Sequence, residues 1–159
     1  RNMVALAGLV EELHVWTGHS TYLLPRLAEQ RRQGMLQSFD ALFMDRWGSQ
    51  YHEDFAVLDN SGLLQTGAVI IADQVLWSGA SLYLWDLISK TYPTRLLPVD
   101  ASDDAIEEDF LAISVRDAVL DSLSAPVLRI PESMLCLHQE AEEFRKLWVD
   151  AEGPASTSV

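Results

Sequence analysis

Asp45 and Asp73 hold equivalent places in two successive segments of the chain. In "ALFMDRW" an apolar run ends on Asp45, with Trp47 close behind; in "AVIIADQVLW" the next such run ends on Asp73, followed by Gln74 and Trp77. Short apolar runs without internal alternation read as buried strands. If the two strands are parallel, both carboxylates emerge at the carboxyl rim of the sheet, where open α/β sheets bind their ligands. Two unpaired carboxylates placed together raise each other's pKa, and a hard divalent cation removes that penalty. Magnesium suits an all-oxygen set made of Asp45, Asp73 and the Gln74 amide. The competing reading is structural, because an aspartate after a strand commonly caps the next helix or opens a turn. Spacing alone leaves both readings standing.

The other reactive side chains carry less. His14 alternates with Leu13 and Val15 as an ordinary strand residue, and His19 sits in a loop beside Ser20, within reach of a ligand there. His52 and His138 read as solvent-facing helix residues, and with no cysteine at ligand spacing a zinc site is not expected. The single cysteine, Cys136, lies between Leu135 and Leu137 and reads as core-facing or partly buried, not nucleophilic; with one cysteine no internal disulfide can form. Ser20, Ser78 and Ser81 lack the G-x-S-x-G setting of a hydrolase nucleophile.

The elements that position the aspartates follow from periodicity and punctuation. "MVALAG" reads as the end of a helix closing on Gly8, and "ELHVWTG" as a short strand. Ser20 can cap a helix that runs to Gly34, with Pro25 tolerated in its first turn. "ALFM" is then a fully buried strand. Tyr51, Phe55 and Leu58 mark one face of a helix stopped at Asn60-Ser61-Gly62, and "AVIIA" is the next buried strand. "SLYLWDLISKTY" is a helix halted before Pro93, and "TRLLPV" and "DFLAISVR" are two more strands. The acidic run "DASDDAIEED" reads as a solvated loop between them, too short for a parallel crossover, so this last pair is antiparallel. The expected class is α/β and three-layer, a mostly parallel sheet covered on both faces. Residues 1–120 form this unit. Residues 121–150 add an extension whose helix carries Met134, Leu137, Ala141, Phe144 and Trp148 on one face, and 151–159 form a flexible polar tail.

Read in order, "MVALAGLVEELHVWTGHSTYLLPRL", "ALFMDRWGSQYHEDF" and "SGLLQTGAVIIADQVLWSGA" resemble the second half of catechol O-methyltransferase. The resemblance covers residues 3–80 and continues more loosely to Val115. It implies the C-terminal half of a doubly wound, Rossmann-like class I methyltransferase fold that uses S-adenosylmethionine and Mg2+ to methylate a catechol-like hydroxyl. By position, the resemblance makes Asp45 and Asp73 the metal aspartates, with Gln74 in place of an asparagine ligand. It puts Ser20, Thr21, Asp45, Arg46 and Trp47 along the cofactor, and offers Glu108 or Asp109 to the second catechol hydroxyl. The family's general base is a lysine directly after the tryptophan, and here that place is Gly48. The half that carries the Gly-rich cofactor loop is absent, and no G-x-G occurs.

These departures predict a degenerate methyltransferase-like domain, inactive alone and serving as an accessory subunit with neither cofactor nor metal required. The alternative is the carboxyl half of a working Mg2+-dependent enzyme whose other half lies outside this sequence, which opens on Arg1 instead of Met. Either way the strands ending at Trp16 and Met44 would present an unpaired apolar edge, to be covered by the missing half or by a partner protein. The balance of 11 basic against 24 acidic residues, a net charge of −13, argues against nucleic acid or anionic lipid as that partner. No apolar run approaches the roughly 18 residues that span a bilayer. A soluble protein is expected, with the compartment left open between an organelle and the periphery of a large complex.

Overall fold

Four strands form one open sheet in the order β1-β2-β4-β3: β1 (Phe39–Met44), β2 (Leu64–Ala72), β3 (Thr94–Asp100) and β4 (Glu108–Val115). The computed structural model describes residues 6–8, 13–76, 79–90, 92–100, 108–117 and 128–152. β1 and β2 are parallel and joined through helix α2 (Tyr51–Asn60), as a crossover requires. β4 inserts between β2 and β3 and runs antiparallel to both, so the expected antiparallel closing pair is present. Helix α1 (Ser20–Arg32) packs on α2, α2 on α3 (Ser81–Ser89), and α4 (Glu132–Glu152) on α3.

The core lies between these helices and one face of the sheet. Tyr51, Phe55 and Leu58 of α2, with Tyr83 and Leu87 of α3, meet Ala68, Ile70 and Ala72 of β2 and Ala112 of β4. The alanines leave room above the sheet for aromatic rings. Phe55 fills it edge-to-face with Tyr83 at 5.3 Å and with Tyr92 at 6.2 Å.

The other face of the sheet is bare among the described residues. Phe43 is 58% exposed and Val69 and Val115 37% each, in alternation with buried Met44, Ile70 and Ser114. The α/β class holds: an open, mixed sheet of four strands with helices packed against it, which contact one another in the order α1, α2, α3, α4. "ALFM" is not fully buried: of β1 only Met44 is, and among the described residues β1 has a neighbouring strand on one side alone.

Residues 13–17 form no strand. Among the described residues no strand pairs with this segment, so its N–H and C=O groups have no ladder to join, and β-propensity alone does not hold one. Smaller corrections follow from capping and packing. His19, not Ser20, caps α1, and Pro25 is the sixth residue of that helix instead of part of its first turn. Cys136 is exposed, on the side of α4 turned away from α3. Helix α4 continues through Ala151 and Glu152, two residues into the expected tail. The end of the first expected helix at Gly8 is described, with Gly8 at φ +72°; residues 3–5 of that helix, Trp77, most of the acidic loop and residues 153–159 lie outside the described residues.

Candidate functional site

The β1–β2 register brings the two aspartates to one rim. Met44 pairs with Ala72, so Asp45 and Asp73 are each the next residue beyond the same rung of a parallel ladder. Strands are spaced by about 4.8 Å, and one more bond ties the turns: the Asp73 N–H donates to the Met44 carbonyl at 2.9 Å. Asp45 is exposed, and its carboxylate accepts no hydrogen bond from the described residues. Asp73 is half-buried, with Oδ1 accepting the Gln74 N–H at 2.8 Å. Gln74 has φ +52°, the one non-glycine positive φ among the described residues. A left-handed conformation at a residue with a Cβ is strained and needs its surroundings to hold it.

Beneath the turns lies the Tyr51 hydroxyl, 3.1 Å from the carbonyl oxygens of both Met44 and Asp73, and it accepts the Arg46 N–H at 3.0 Å. Burial pushes this hydroxyl up to about 12; the Arg46 N–H acts against the shift, and the charges of Asp45 and Asp73 add to it. It therefore stays protonated at any working pH.

This donor set fits a hard divalent cation: two carboxylates one strand apart, one of them unengaged, with an amide side chain on the adjoining strained residue. No group of three or more His, Cys, Asp or Glu residues able to hold a metal occurs among the described residues, so the amide, water or substrate oxygens would complete the shell.

Asp109 reaches the same rim from β4 and is buried. Its Oδ1 accepts the Leu76 N–H at 3.0 Å and the Phe110 N–H at 2.7 Å, while the Val75 N–H donates to the Phe110 carbonyl. That carboxylate thus anchors the loop leaving Asp73. Glu108 opens β4 one residue earlier.

A second cluster gathers Ser20 and Arg46. The Arg46 guanidinium donates to Ser20 Oγ, to Gln50 Oε1 and, at 2.7 Å, to Asp54 Oδ2. Thr21 stands apart, its hydroxyl on His19 Nδ1 at 2.8 Å. Ser20, Thr21, Asp54 and their neighbours line a hollow of about 180 Å³ between α1 and α2.

Beyond Arg46 the chain turns under α4. Gly48 and Ser49 are buried in a short 3-10 turn, Gly48–Gln50. The Trp47 ring meets Phe144 of α4 edge-on at 6.5 Å, Ser49 Oγ donates to Glu142, and the rings of His52 and His138 meet at 4.9 Å. His52 and His138 are therefore partners across two helices, contrary to their reading as solvent-facing.

Glu142 also takes two bonds from Arg145, at 2.8 and 3.0 Å. Those bonds first, with the Ser49 hydroxyl helping and burial opposing, push its carboxyl down to about 2. A depressed carboxylate stabilises above its unfolded pKa, about 4.3, and that share is lost as pH falls through the folded value. The Ser49–Glu142 contact should therefore be intact at neutral pH and weaken between roughly pH 4 and 2. Hydrogen exchange in α4 checks this: Glu142→Gln should remove that part of the acid sensitivity, and an unchanged pH profile would contradict it.

Sequence reasoning missed Tyr51 as a polar node, Asp54 as the Arg46 counter-charge, and Glu142. The first had a signal, since a buried tyrosine hydroxyl needs a partner. The other two had none, because charged helix residues look alike until the fold pairs them.

No family model matches the chain. Over 84 residues, 53% of the chain, it is 33% identical to catechol O-methyltransferase of Bos taurus and 32% identical to catechol O-methyltransferase B of Danio rerio. The match spans only 30% and 31% of those two proteins. Among solved structures, an O-methyltransferase from Bacillus cereus in complex with SAH aligns with TM-score 0.56 at 19% identity, over 74% of this chain and 56% of that one. The O-methyltransferase TomG from Streptomyces achromogenes, involved in tomaymycin synthesis and solved with SAM, aligns with TM-score 0.57 at 18% identity, over 73% and 55%. At such identities the likeness concerns the fold alone. Sequence likeness over half of the chain and fold likeness over three quarters of it agree: the chain is catechol O-methyltransferase-like in sequence and O-methyltransferase-like in fold.

Proposed function

We propose that this chain is a methyltransferase-like half-domain that holds a divalent cation between Asp45 and Asp73 but transfers no methyl group by itself, serving as an accessory part of a larger assembly. The observation that carries the reading is Gly48. It occupies the place of the family's general base, has no side chain to take a proton, and is buried. Among the described residues the edge of β1 and the face around Phe43, Val69 and Val115 are uncovered, which supports a covering partner, because strand edges and apolar patches left to water invite association. That partner would add a strand beside β1 and a layer over the open face.

A bound magnesium ion would supply a positive charge able to favour a deprotonated substrate hydroxyl. The chain's own part is to keep two carboxylates at one rim and to anchor the following loop through Asp109. Ser20, Arg46 and Trp47 would face S-adenosylmethionine only once the covering segment supplies the remaining walls. Glu108 or Asp109 would then lie near the second substrate hydroxyl.

The retained aspartate pair favours a second reading, in which the chain is the carboxyl half of an active Mg2+-dependent O-methyltransferase. Two measurements on the native protein separate the readings. Its intact mass should exceed the 17.8 kDa of this chain, through a longer polypeptide or a companion; a lone, soluble monomer of that mass would contradict the covering layer. Incubated with Mg2+, S-adenosylmethionine and 3,4-dihydroxybenzoate, the native protein, with any longer polypeptide or companion it carries, should release no methylated product. Turnover that Asp73→Ala abolishes would replace the first reading with the second.

A further inference from the structure

We infer that the Tyr51 hydroxyl is the positioning group of the cation site: one buried oxygen that fixes the separation of the two aspartate-bearing turns. The inference rests on the reading of Asp45 and Asp73 as cation ligands and deepens it.

Three contacts converge on that oxygen. It lies 3.1 Å from the Met44 carbonyl and accepts the Arg46 N–H at 3.0 Å, so it grips the backbone on both sides of Asp45. It also lies 3.1 Å from the carbonyl of Asp73 itself. The hydroxyl proton serves one carbonyl at a time or is shared between the two, while the oxygen lone pairs take the amide. A single atom thus holds the backbone on either side of Asp45 and the carbonyl of Asp73, the first residue beyond β2.

The rest of the residue is held rigidly. Tyr51 opens α2, is 1% exposed, and packs edge-on against Tyr83 at 5.8 Å. With the ring fixed by packing and the helix by the core, the hydroxyl is a stationary post between two turns. Asp45 is exposed and its carboxylate has no hydrogen bond among the described residues, so its placement depends on the backbone that Tyr51 grips. Groups that orient metal ligands without touching the metal typically govern affinity by about 10- to 100-fold.

The test is titration of the full chain with Mn2+, with free ion followed by electron paramagnetic resonance, on four proteins. These are the wild type, Tyr51→Phe, Tyr83→Phe and Asp73→Asn. Tyr51→Phe keeps the ring and loses only the oxygen; Tyr83→Phe removes a buried hydroxyl bonded to neither turn. The expected result is about 10-fold weaker binding for Tyr51→Phe, an unchanged Kd for Tyr83→Phe, and loss of the site in Asp73→Asn. A broadened spectrum of the Mn2+ still bound to Tyr51→Phe would show a loosened ligand geometry. If wild type and Tyr51→Phe bind alike while Asp73→Asn fails, the positioning role is wrong and the cation site stands. If Asp73→Asn binds as wild type does, or wild type binds nothing, the cation site is wrong and the positioning role falls with it. Equal weakening in Tyr51→Phe and Tyr83→Phe overturns the specific role in favour of general loosening of the core.

Discussion

The Asp59→Ala variant is expected to lose about 3 kcal/mol of folding stability, a fall in Tm of roughly 6–12 °C in a chain of this size. Asp59 lies near the end of α2 and is buried. Its two oxygens collect the Lys90 ammonium, the Arg116 guanidinium at 2.8 Å and the Tyr92 hydroxyl at 3.0 Å. The carboxylate thereby joins α2, the end of α3, the segment before β3 and the residue after β4. Removing it takes away the carboxylate that two partly buried cations share, a heavier penalty than loss of the attraction alone.

The same cluster sets an acid limit. Burial acts to raise the Asp59 pKa, but the Lys90 and Arg116 hydrogen bonds outweigh it, and the carboxyl is held below its ordinary value. Its contribution is complete above an unfolded pKa of about 3.9 and disappears as pH falls through the lower folded value. Urea unfolding of the wild type and Asp59→Ala at pH 7 and near pH 3 checks both points: the gap should be wide at pH 7 and narrow in acid. Equal gaps would refute the linkage.

Gly79→Ala should detach α4 from the rest of the domain. A Cβ built on Gly79 would fall inside the Ala141 methyl group, and Gly79 itself has φ +73°. The left-handed backbone and the overlap together cost about 2–4 kcal/mol, which α4 relieves most simply by lifting away. Its remaining ties to the site, Ser49–Glu142 and Trp47–Phe144, would open as well. Hydrogen exchange in residues 132–152 should accelerate by at least about 30-fold, on the scale of 1.4 kcal/mol per tenfold. Adding Ala141→Gly should restore much of the protection, because a Cβ at 79 lies 3.6 Å from the Ala141 Cα. No rescue would mean that the backbone conformation and not the overlap is at fault.

How far the sequence can be read here depends on whether a feature is local. The ends of β1 and β2, with an aspartate beyond each, were legible because apolar runs and the charges that stop them are written in consecutive residues. The antiparallel closing pair was legible from the shortness of its link. Residues 13–17 show the limit: their β-formers promise a strand, but a strand exists only where a neighbour offers hydrogen bonds, and that neighbour is not among the described residues. The buried look of "ALFM" failed for the same reason, since edge position is a property of the whole sheet. In the site, the resemblance marked Ser20 and Arg46 separately, yet the Arg46 guanidinium meets both Ser20 of α1 and Asp54 of α2 only when the two helices pack. Tyr51 was read from its spacing as a core ring, and its oxygen became visible as a node only with both turns in place.

The claim beneath this account is that Asp45 and Asp73 act as one site, and a stoichiometric Mn2+ titration of single variants tests it most directly. A net charge of −13 attracts cations diffusely, so Asp40→Asn, at another exposed position of β1, serves as the control. The account predicts one saturable Mn2+ per chain, lost in both Asp45→Asn and Asp73→Asn and kept in Asp40→Asn. Binding that survives either rim substitution, or that falls equally in all three, would contradict it.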